Sequence, residues 1–200
     1  DLEGLIKVEE ELLLHICHRI ACRGADNLRD LGRDPKELAE LKGPLPRITY
    51  DHAVELVSAS DPTFRWGMDL GYNQEKILTA SFAKPFFVTH YPKGVKAFYH
   101  MLDPERPQVT LSVDLLAPEG YGEITGGGQR IHDYEQLMKR IEEEHLNPEP
   151  YSWYLDLRRY GTVPHSGFGM GIERTVAWIC KLKHIRDAAA FPRMLNRAYP

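Results

Sequence analysis

The chain has 200 residues, 42% hydrophobic and 27% charged, a composition that is ordinary for a globular chain with one sizeable core. The formal net charge of −4 lacks the basic excess of a dedicated nucleic-acid module. No apolar run has the length of a membrane span, and the acidic N-terminus does not resemble a signal peptide. Three cysteines without a regular framework fit a reducing cytosol, so we predict a cytoplasmic protein with no membrane partner.

The first part of the chain, residues 1–45, is predicted to be a helical segment. Hydrophobic residues at three- and four-residue steps predict an amphipathic helix over residues 2–21, with Gly24 as its stop. A short helix is predicted over residues 35–41. Further along we predict a strand at 47–50, a helix at 52–57 with Asp51 as its N-cap, and a helix at 73–82.

From residue 85 onward, β-branched and aromatic residues become frequent. They predict strands at residues 86–89, 97–101, 109–116 and 122–130. Helices are predicted at 133–144, 150–159 and 171–182. Neighbouring strands with short loops favour an antiparallel sheet, and segregated helices around it make the fold α+β.

The chain starts at Asp1, inside a helical pattern and without an initiator methionine. We therefore expect it to be a fragment, or a chain whose front part is missing.

Two carboxylates on neighbouring strands are candidates for a magnesium site. Asp114 and Glu123 lie on adjacent predicted strands, and Mg²⁺ prefers a few carboxylates together with phosphate oxygens. Spacing alone also allows two unrelated surface acids.

Glycines mark two further segments. Three consecutive glycines precede Gln129 and Arg130, which indicates a close backbone approach and a guanidinium suited to a carboxylate or amide oxygen. A bulged edge strand ending in a solvated arginine is the alternative.

The second glycine segment alternates Gly167, Gly169 and Gly171, so that one face of an extended stretch has no side chains and can take a flat ring. Arg174 then falls in the first turn of a helix, where a cation beside free N–H groups suits a phosphate. The alternative is a glycine-rich turn into a core helix.

Together these segments resemble class II aminoacyl-tRNA synthetases of the aspartyl/asparaginyl subgroup. Residues 169–174, Gly-Met-Gly-Ile-Glu-Arg, look like the third signature motif of that class. Residues 155–169 resemble the asparaginyl form, as do residues 95–99, 114–124 and 191–193. The resemblance is strong from about residue 85 and looser before it, and it implies that residues 1–200 are the C-terminal part of the catalytic domain.

The resemblance also implies roles for the candidate residues. Arg174 would contact the γ-phosphate of ATP and act with Glu123 in catalysis, while Asp114 and Glu123 would hold Mg²⁺ and the phosphates. Arg130 would contact the side-chain oxygen of the amino acid, and His90 would lie in the same pocket. The adenine side of the pocket would have a floor formed by Gly167, Gly169 and Gly171.

The implied reaction is amino-acid activation. The carboxylate of asparagine attacks the α-phosphate of ATP, and the acyl group then passes to the 3′ end of tRNA(Asn). Positioning and charge neutralisation dominate such chemistry. The family also implies a homodimer for the intact protein.

The sequence departs from the family in several places. Gly128 stands where the family usually has serine, and residues 131–134 look more aspartyl than asparaginyl. The first and second signature motifs are not found in these 200 residues, so the fragment alone is expected to lack activity.

Other functions stay open at this point. They are an aspartate–tRNA ligase acting on one or two tRNAs, a synthetase-derived asparagine synthetase, and a non-catalytic paralogue.

Overall fold

The computed structural model describes residues 1–199, which form one mixed sheet with helices around it. The described chain contains the strands β1 (Arg47–Thr49), β2 (Phe86–Thr89), β3 (Ser112–Ala117), β4 (Gly122–Gln129) and β5 (Ser166–Met170). Its α-helices are α1 (Leu2–Arg23), α2 (Ala25–Asp30), α3 (Pro35–Ala39), α4 (Tyr50–Ser58), α5 (Tyr72–Ala80), α6 (Tyr134–Glu143), α7 (Ser152–Arg159) and α8 (Ile172–Ile179). None of the helices in this part of the chain is long and apolar enough to cross a membrane.

The first helix shows how sequence sets its ends. Asp1 caps α1, because its side chain accepts a hydrogen bond from the Gly4 N–H at 2.7 Å. Gly24 ends the helix as predicted, and its N–H donates to the Ile20 carbonyl at 2.8 Å. Gly24 is also the N-cap of α2, a short helix that the sequence analysis did not predict.

Two local predictions were wrong. Thr49, not Asp51, caps α4, because the backbone of Thr49 is still extended at the end of β1 and its hydroxyl accepts from the His52 N–H. The predicted strand at 97–101 is a loop with isolated bridges at its end. Its aromatic residues Phe98 and Tyr99 instead pack sideways against the cluster that α6 and α7 build.

The strands follow the order β1–β2–β3–β4–β5. The predicted α+β class is confirmed, and β2 to β5 form the expected antiparallel ladder. β1 differs, since it pairs parallel to β2. The connection between these two strands contains α4 and α5, and such a crossover returns the chain in the same direction.

The two faces of the sheet differ in their cover. One face carries the main core, in which Phe87, Val113 and Leu115 pack against α1, α3 and α8. On the other face, α4 and α5 cover only the β1–β3 side, over Phe86, Val88 and Leu116. The β4–β5 side of this second face holds glycines and charged residues, and we call it the open face.

Candidate active site

A β-bulge brings the two predicted metal carboxylates to the same face. The pairing of β3 with β4 shifts between Leu115 and Leu116, so that Ile124 is an extra residue in the ladder. Without this shift, strict alternation would turn Glu123 away from Asp114. A Cβ placed on Gly126 would lie 2.8 Å from Glu123 Oε1 and 3.2 Å from Asp114 Oδ1, so both carboxylates converge on the space above this glycine.

The paired carboxylates have an unusual electrostatic environment. Burial, together with the negative charges of Asp114 and Glu75, raises the pKa of Glu123 to about 7 against the opposing charges of Lys96 and Arg174. Lys96 Nζ donates to both oxygens of Asp114, at 2.7 and 2.6 Å, and lies 4.0 Å from the centre of the Tyr91 ring. Asp114 therefore has a cationic partner, whereas the negative charges around Glu123 outweigh the positive ones.

This donor set fits a magnesium ion. No group of three or more His, Cys, Asp or Glu side chains within residues 1–199 forms a metal site by itself. Two converging carboxylates are the protein contribution that Mg²⁺ uses when phosphate oxygens and water complete its shell. Two observations fit such a cation. Gly126 leaves the space between the carboxylates free of a side chain, and the pKa of Glu123 is raised, so that a positive charge nearby would be favourable.

Four glycines give the open face a flat floor. Gly126 pairs with Gly169 and Gly128 pairs with Gly167 across β4 and β5, so all four lie on the face that bears Glu123. Nothing approaches a Cβ on Gly169 within 4 Å. The residues predicted as a side-chain-free floor therefore adjoin the β4 glycines, which the sequence analysis assigned only to backbone approach.

Arg130 lies at the opposite end of this floor from Glu123. Its NH2 group donates to the Gly167 carbonyl at 3.0 Å, its NH1 group lies 3.2 Å from His100 Nε2, and its guanidinium stacks 4.6 Å from the centre of the Tyr99 ring. Gly167 thus lies beside Arg130, at the end of the floor away from Arg174.

The partners of Arg130 are all uncharged. Two buried arginines differ in this respect, because Arg33 contacts Glu37 and Arg140 contacts Glu143, whereas the buried Arg158 also has only uncharged partners. No carboxylate in the described chain forms an ion pair with Arg130. The guanidinium is therefore fixed in place while its charge stays available to an incoming oxygen.

Arg174 lies at the Glu123 end of the floor. It is in the first turn of α8, and its side chain packs against Gly171, where a Cβ would lie 3.3 Å from Arg174 Cδ. Its NH1 group donates to the Glu123 carbonyl at 3.1 Å. The side chain is exposed, so its free donors reach solvent beside the carboxylate pair.

Cavities lie at both ends of the floor. A cavity of about 600 Å³ borders Arg174 and also has Lys76 and Lys183 in its wall, with Glu119 as an opposing acid. A second cavity, of about 330 Å³, borders Arg130 and has an aromatic wall formed by Phe98, Tyr99, Tyr151, Trp153 and Tyr154.

His90 has its hydrogen-bond partner in the neighbouring residue of the chain. Its Nδ1 pairs with the Thr89 hydroxyl at 2.9 Å, and its φ of 61° turns the chain at the end of β2. The structure brings Asp114, Glu123, Arg130, Arg174 and the glycines to one face, while the assignment of His90 to the pocket stays a prediction.

Three site residues escaped the sequence analysis. Lys96 pairs with Asp114, Glu75 accepts a hydrogen bond from the Glu123 N–H at 3.0 Å, and His100 contacts Arg130. Lys96 falls within a segment that resembles the family, at residues 95–99, and that signal was available. No signal in the sequence connected Glu75, on α5, with β4.

The class of protein follows from the open face together with the whole-chain comparison. The family model described as tRNA synthetases class II (D, K and N) matches residues 1–195. The chain belongs to this family.

Individual relatives agree with this assignment. The asparagine–tRNA ligase of Desulforamulus reducens is 51% identical over 200 residues, which are 100% of this chain and 47% of the relative. The asparagine–tRNA ligase of Pyrococcus horikoshii is 50% identical and matches over 100% of this chain and 46% of its own length. The chain thus spans about half the length of the curated relatives it matches.

Solved structures are similar over the same region. The asparaginyl-tRNA synthetase of Pyrococcus horikoshii complexed with asparaginyl-adenylate superimposes with a TM-score of 0.96 at 50% identity, covering 100% of this chain and 46% of that one. The aspartyl-tRNA synthetase of Entamoeba histolytica superimposes with a TM-score of 0.84 at 30% identity, covering 100% and 42%.

Proposed function

We propose that the protein carrying this chain is an asparagine–tRNA ligase, which activates asparagine with ATP and transfers the acyl group to tRNA(Asn). The observation that supports this most is the open face itself. A pair of carboxylates and Arg174 lie at one end of a glycine floor, and an uncompensated Arg130 lies at the other. Such a face holds a polyphosphate and an amino acid side by side.

The roles of the chain's own residues follow from this arrangement. Arg174 binds the γ-phosphate of ATP with the donors that its bond to Glu123 leaves free, and Lys76 and Lys183 add positive charge to the same cavity. Gly169 and Gly171 leave room for the adenine ring. Arg130 binds the side-chain oxygen of asparagine, with Gly167 supporting the guanidinium.

Asp114 and Glu123 are proposed to hold Mg²⁺ with the phosphates of ATP. When bound, the ion neutralises charge on the phosphate oxygens and so favours attack by the substrate carboxylate. Lys96 keeps Asp114 in place, since its ammonium contacts both carboxylate oxygens.

Asparagine is preferred over aspartate on the basis of similarity. Arg130 can donate hydrogen bonds to the oxygen of an amide or of a carboxylate, so it does not discriminate between asparagine and aspartate. The relatives described as asparagine–tRNA ligases are about 50% identical to the chain, while the aspartyl enzyme of Entamoeba histolytica is 30% identical.

The proposal extends to the partners of the intact protein. By family membership we propose a homodimer that acts on tRNA(Asn) in the cytoplasm and in which residues 1–200 are the C-terminal part of the catalytic domain. The three cysteines are free thiols in the structure, which is consistent with a reducing compartment. His90 remains a weaker candidate for the amino-acid pocket.

ATP–pyrophosphate exchange with the protein at its natural length tests the proposal. We expect exchange that depends on asparagine and falls at least about 100-fold in Arg174→Ala, because an arginine that neutralises transferring phosphates is lost. Arg29→Ala, which removes an exposed arginine paired with Asp26, is the matched control and retains full exchange.

Three results would contradict this function. Exchange with aspartate alone would identify an aspartate–tRNA ligase. Binding of ATP without exchange on either amino acid would identify a non-catalytic relative, and adenylate formation without any transfer to tRNA would indicate a synthetase-derived asparagine synthetase.

A further inference from the structure

The residue beside Arg130 on the open face is a buried histidine to which no role has been given. His100 is 5% exposed and follows Tyr99 in the loop that crosses the end of β4. Its Nδ1 lies 3.2 Å from the Ala97 carbonyl oxygen. A carbonyl only accepts hydrogen bonds, so Nδ1 carries the ring proton and Nε2 carries the lone pair.

The lone pair on Nε2 faces Arg130. Arg130 NH1 lies 3.2 Å from Nε2, and a guanidinium only donates, so the imidazole is the acceptor. The charged groups whose fields act on the ring are Arg130 and Lys96, both cations, and the ring of Tyr99 lies 4.8 Å from it. Burial and these two cations lower the pKa of His100 to about 4, against the opposing effect of the Ala97 and Gly127 backbone, and this keeps the ring neutral.

Gly128 provides the space for this histidine. A Cβ on Gly128 would lie 2.5 Å from His100 Cδ2 and 2.7 Å from the Leu111 carbonyl oxygen. Any side chain at position 128 therefore displaces the imidazole or separates the strands. The glycine that departs from the family pattern and the histidine that contacts Arg130 belong to one arrangement.

We propose that His100 is a positioning residue for asparagine binding, which holds the Arg130 guanidinium at the amino-acid end of the floor through a neutral imidazole acceptor. A carboxylate at this place would also fix Arg130, but it would neutralise the charge that the substrate oxygen must meet. A neutral acceptor fixes the geometry and leaves that charge intact. The inference rests on the proposed function, because it assigns asparagine to Arg130.

The kinetic test compares two variants of His100 in the protein at its natural length. His100→Leu removes the acceptor, and we expect the KM for asparagine to rise about tenfold, the loss that one hydrogen bond produces, while the KM for ATP changes less than about twofold. His100→Gln restores an acceptor near the position of Nε2 and is expected to stay within about threefold of wild type in both constants. His15→Leu, a change to an exposed histidine on α1, is the control and leaves both constants unchanged.

Nuclear magnetic resonance of ¹⁵N-histidine-labelled protein gives a readout that does not depend on activity. The His100 signal, assigned by its loss in His100→Gln, is expected to show a protonated Nδ1 and an unprotonated Nε2 at neutral pH. In Arg130→Met the pKa of His100 is expected to rise, because a neighbouring cation is removed.

The outcomes are distinct. A protonated Nε2, or equal increases in the KM for asparagine and for ATP in His100→Leu, would overturn the inference. If the wild-type protein shows no exchange with asparagine, the proposed function fails, while the tautomer and the effect of Arg130→Met still decide whether His100 positions the guanidinium.

Discussion

At the scale of single residues, Glu9 is an ionisable group outside the open face whose pKa is strongly raised. It lies on α1 beneath the sheet and is fully buried. Its Oε2 accepts a hydrogen bond from the Thr125 hydroxyl at 2.5 Å, while Oε1 has no hydrogen-bond partner. Burial raises its pKa from 4.5 to about 7, with the charge of Asp114 adding to the rise.

This raised pKa predicts how Glu9 affects stability. Below pH 4.5 the carboxyl is protonated in the folded and unfolded chain, and no charge is buried. Between pH 4.5 and 7 the folded chain retains a proton that the unfolded chain releases, so the contribution of Glu9 to the free energy of unfolding falls as pH rises. Above pH 7 the buried charge costs on the order of 3 kcal/mol.

The variant Glu9→Gln isolates this effect, because glutamine copies the protonated carboxyl. We expect Glu9→Gln and wild type to unfold at similar urea concentrations at pH 4.5, and the variant to become more stable as pH rises to 8. Glu11→Gln, on an exposed position of the same helix, is the control. A stability difference that does not change with pH would contradict the buried charge.

Residues such as Arg174 could be found from the sequence because each is a charged residue in an unusual local context. Asp114 and Glu123 flank a hairpin, Arg130 follows three glycines, and Arg174 opens a helix. His100 gave no such signal, because its proposed role rests on its contact with Arg130, which lies 30 residues further along the chain. Contacts across such separations exist only once the sheet has formed.

At the scale of elements, the β4–β5 ribbon positions the site through its glycines. The glycines of the two strands are not equivalent, because successive residues of a strand face opposite sides of the sheet. Gly169 lies on the open face and has no neighbour within 4 Å of a Cβ. Gly127 lies on the core face, where a Cβ would be 2.6 Å from Phe168 Cβ and 2.7 Å from the Gly167 carbonyl oxygen.

Alanine at these two positions is therefore expected to have opposite effects. Gly127→Ala should lower the free energy of unfolding by about 1–3 kcal/mol, since the methyl group overpacks against the β5 backbone. Gly169→Ala should leave stability within about 0.5 kcal/mol of wild type. It should weaken ATP binding, because the added methyl group would occupy space on the open face that is proposed for the nucleotide.

Urea unfolding and calorimetric titration with ATP measure the two effects of these substitutions. Unchanged ATP affinity in a stable Gly169→Ala variant would show that the nucleotide does not lie on this part of the ribbon. Full stability of Gly127→Ala would show that β4 and β5 have room between them.

The same ribbon shows why part of the fold could not be predicted. Most helices were found because their hydrophobic spacing is visible in one stretch of sequence, as in α1. The bulge at Ile124 was not, because it is defined by pairing with Leu115 and Leu116 on another strand. The aromatic residues at 98 and 99 have high strand propensity, yet packing against Tyr151 and Tyr154 overrides it.

At the scale of the whole molecule, Arg33 connects the helical segment to the helix that carries Arg174. It is 2% exposed, and its guanidinium donates to the Trp178 and Ile179 carbonyls at the end of α8, at 2.5 and 3.2 Å. The same guanidinium contacts Glu37 at 2.6 Å and Glu119 at 2.8 Å. One side chain thus joins α3, α8 and the turn between β3 and β4.

Arg33 stabilises the fold through the carbonyls at the end of α8. They have no partner within the helix and lie at the negative end of its dipole, where a cation is favourable. Without Arg33, the Ile179 carbonyl would lose its side-chain donor, and the Trp178 carbonyl would keep only backbone donors such as the Lys181 N–H at 3.1 Å. Each such group costs about 1–3 kcal/mol when its hydrogen-bond partner is lost.

Arg33→Met keeps the volume of the side chain and removes its donors. We expect it to lower the free energy of unfolding by about 2–4 kcal/mol in urea, most of it from the lost hydrogen bonds to the Trp178 and Ile179 carbonyls and the lost contacts to Glu37 and Glu119. Arg29→Met removes an exposed ion pair with Asp26 and should change stability by less than about 1 kcal/mol. Equal losses in the two variants would mean that α8 does not depend on Arg33, and that the helical segment and the Arg174 helix are held together by apolar packing alone.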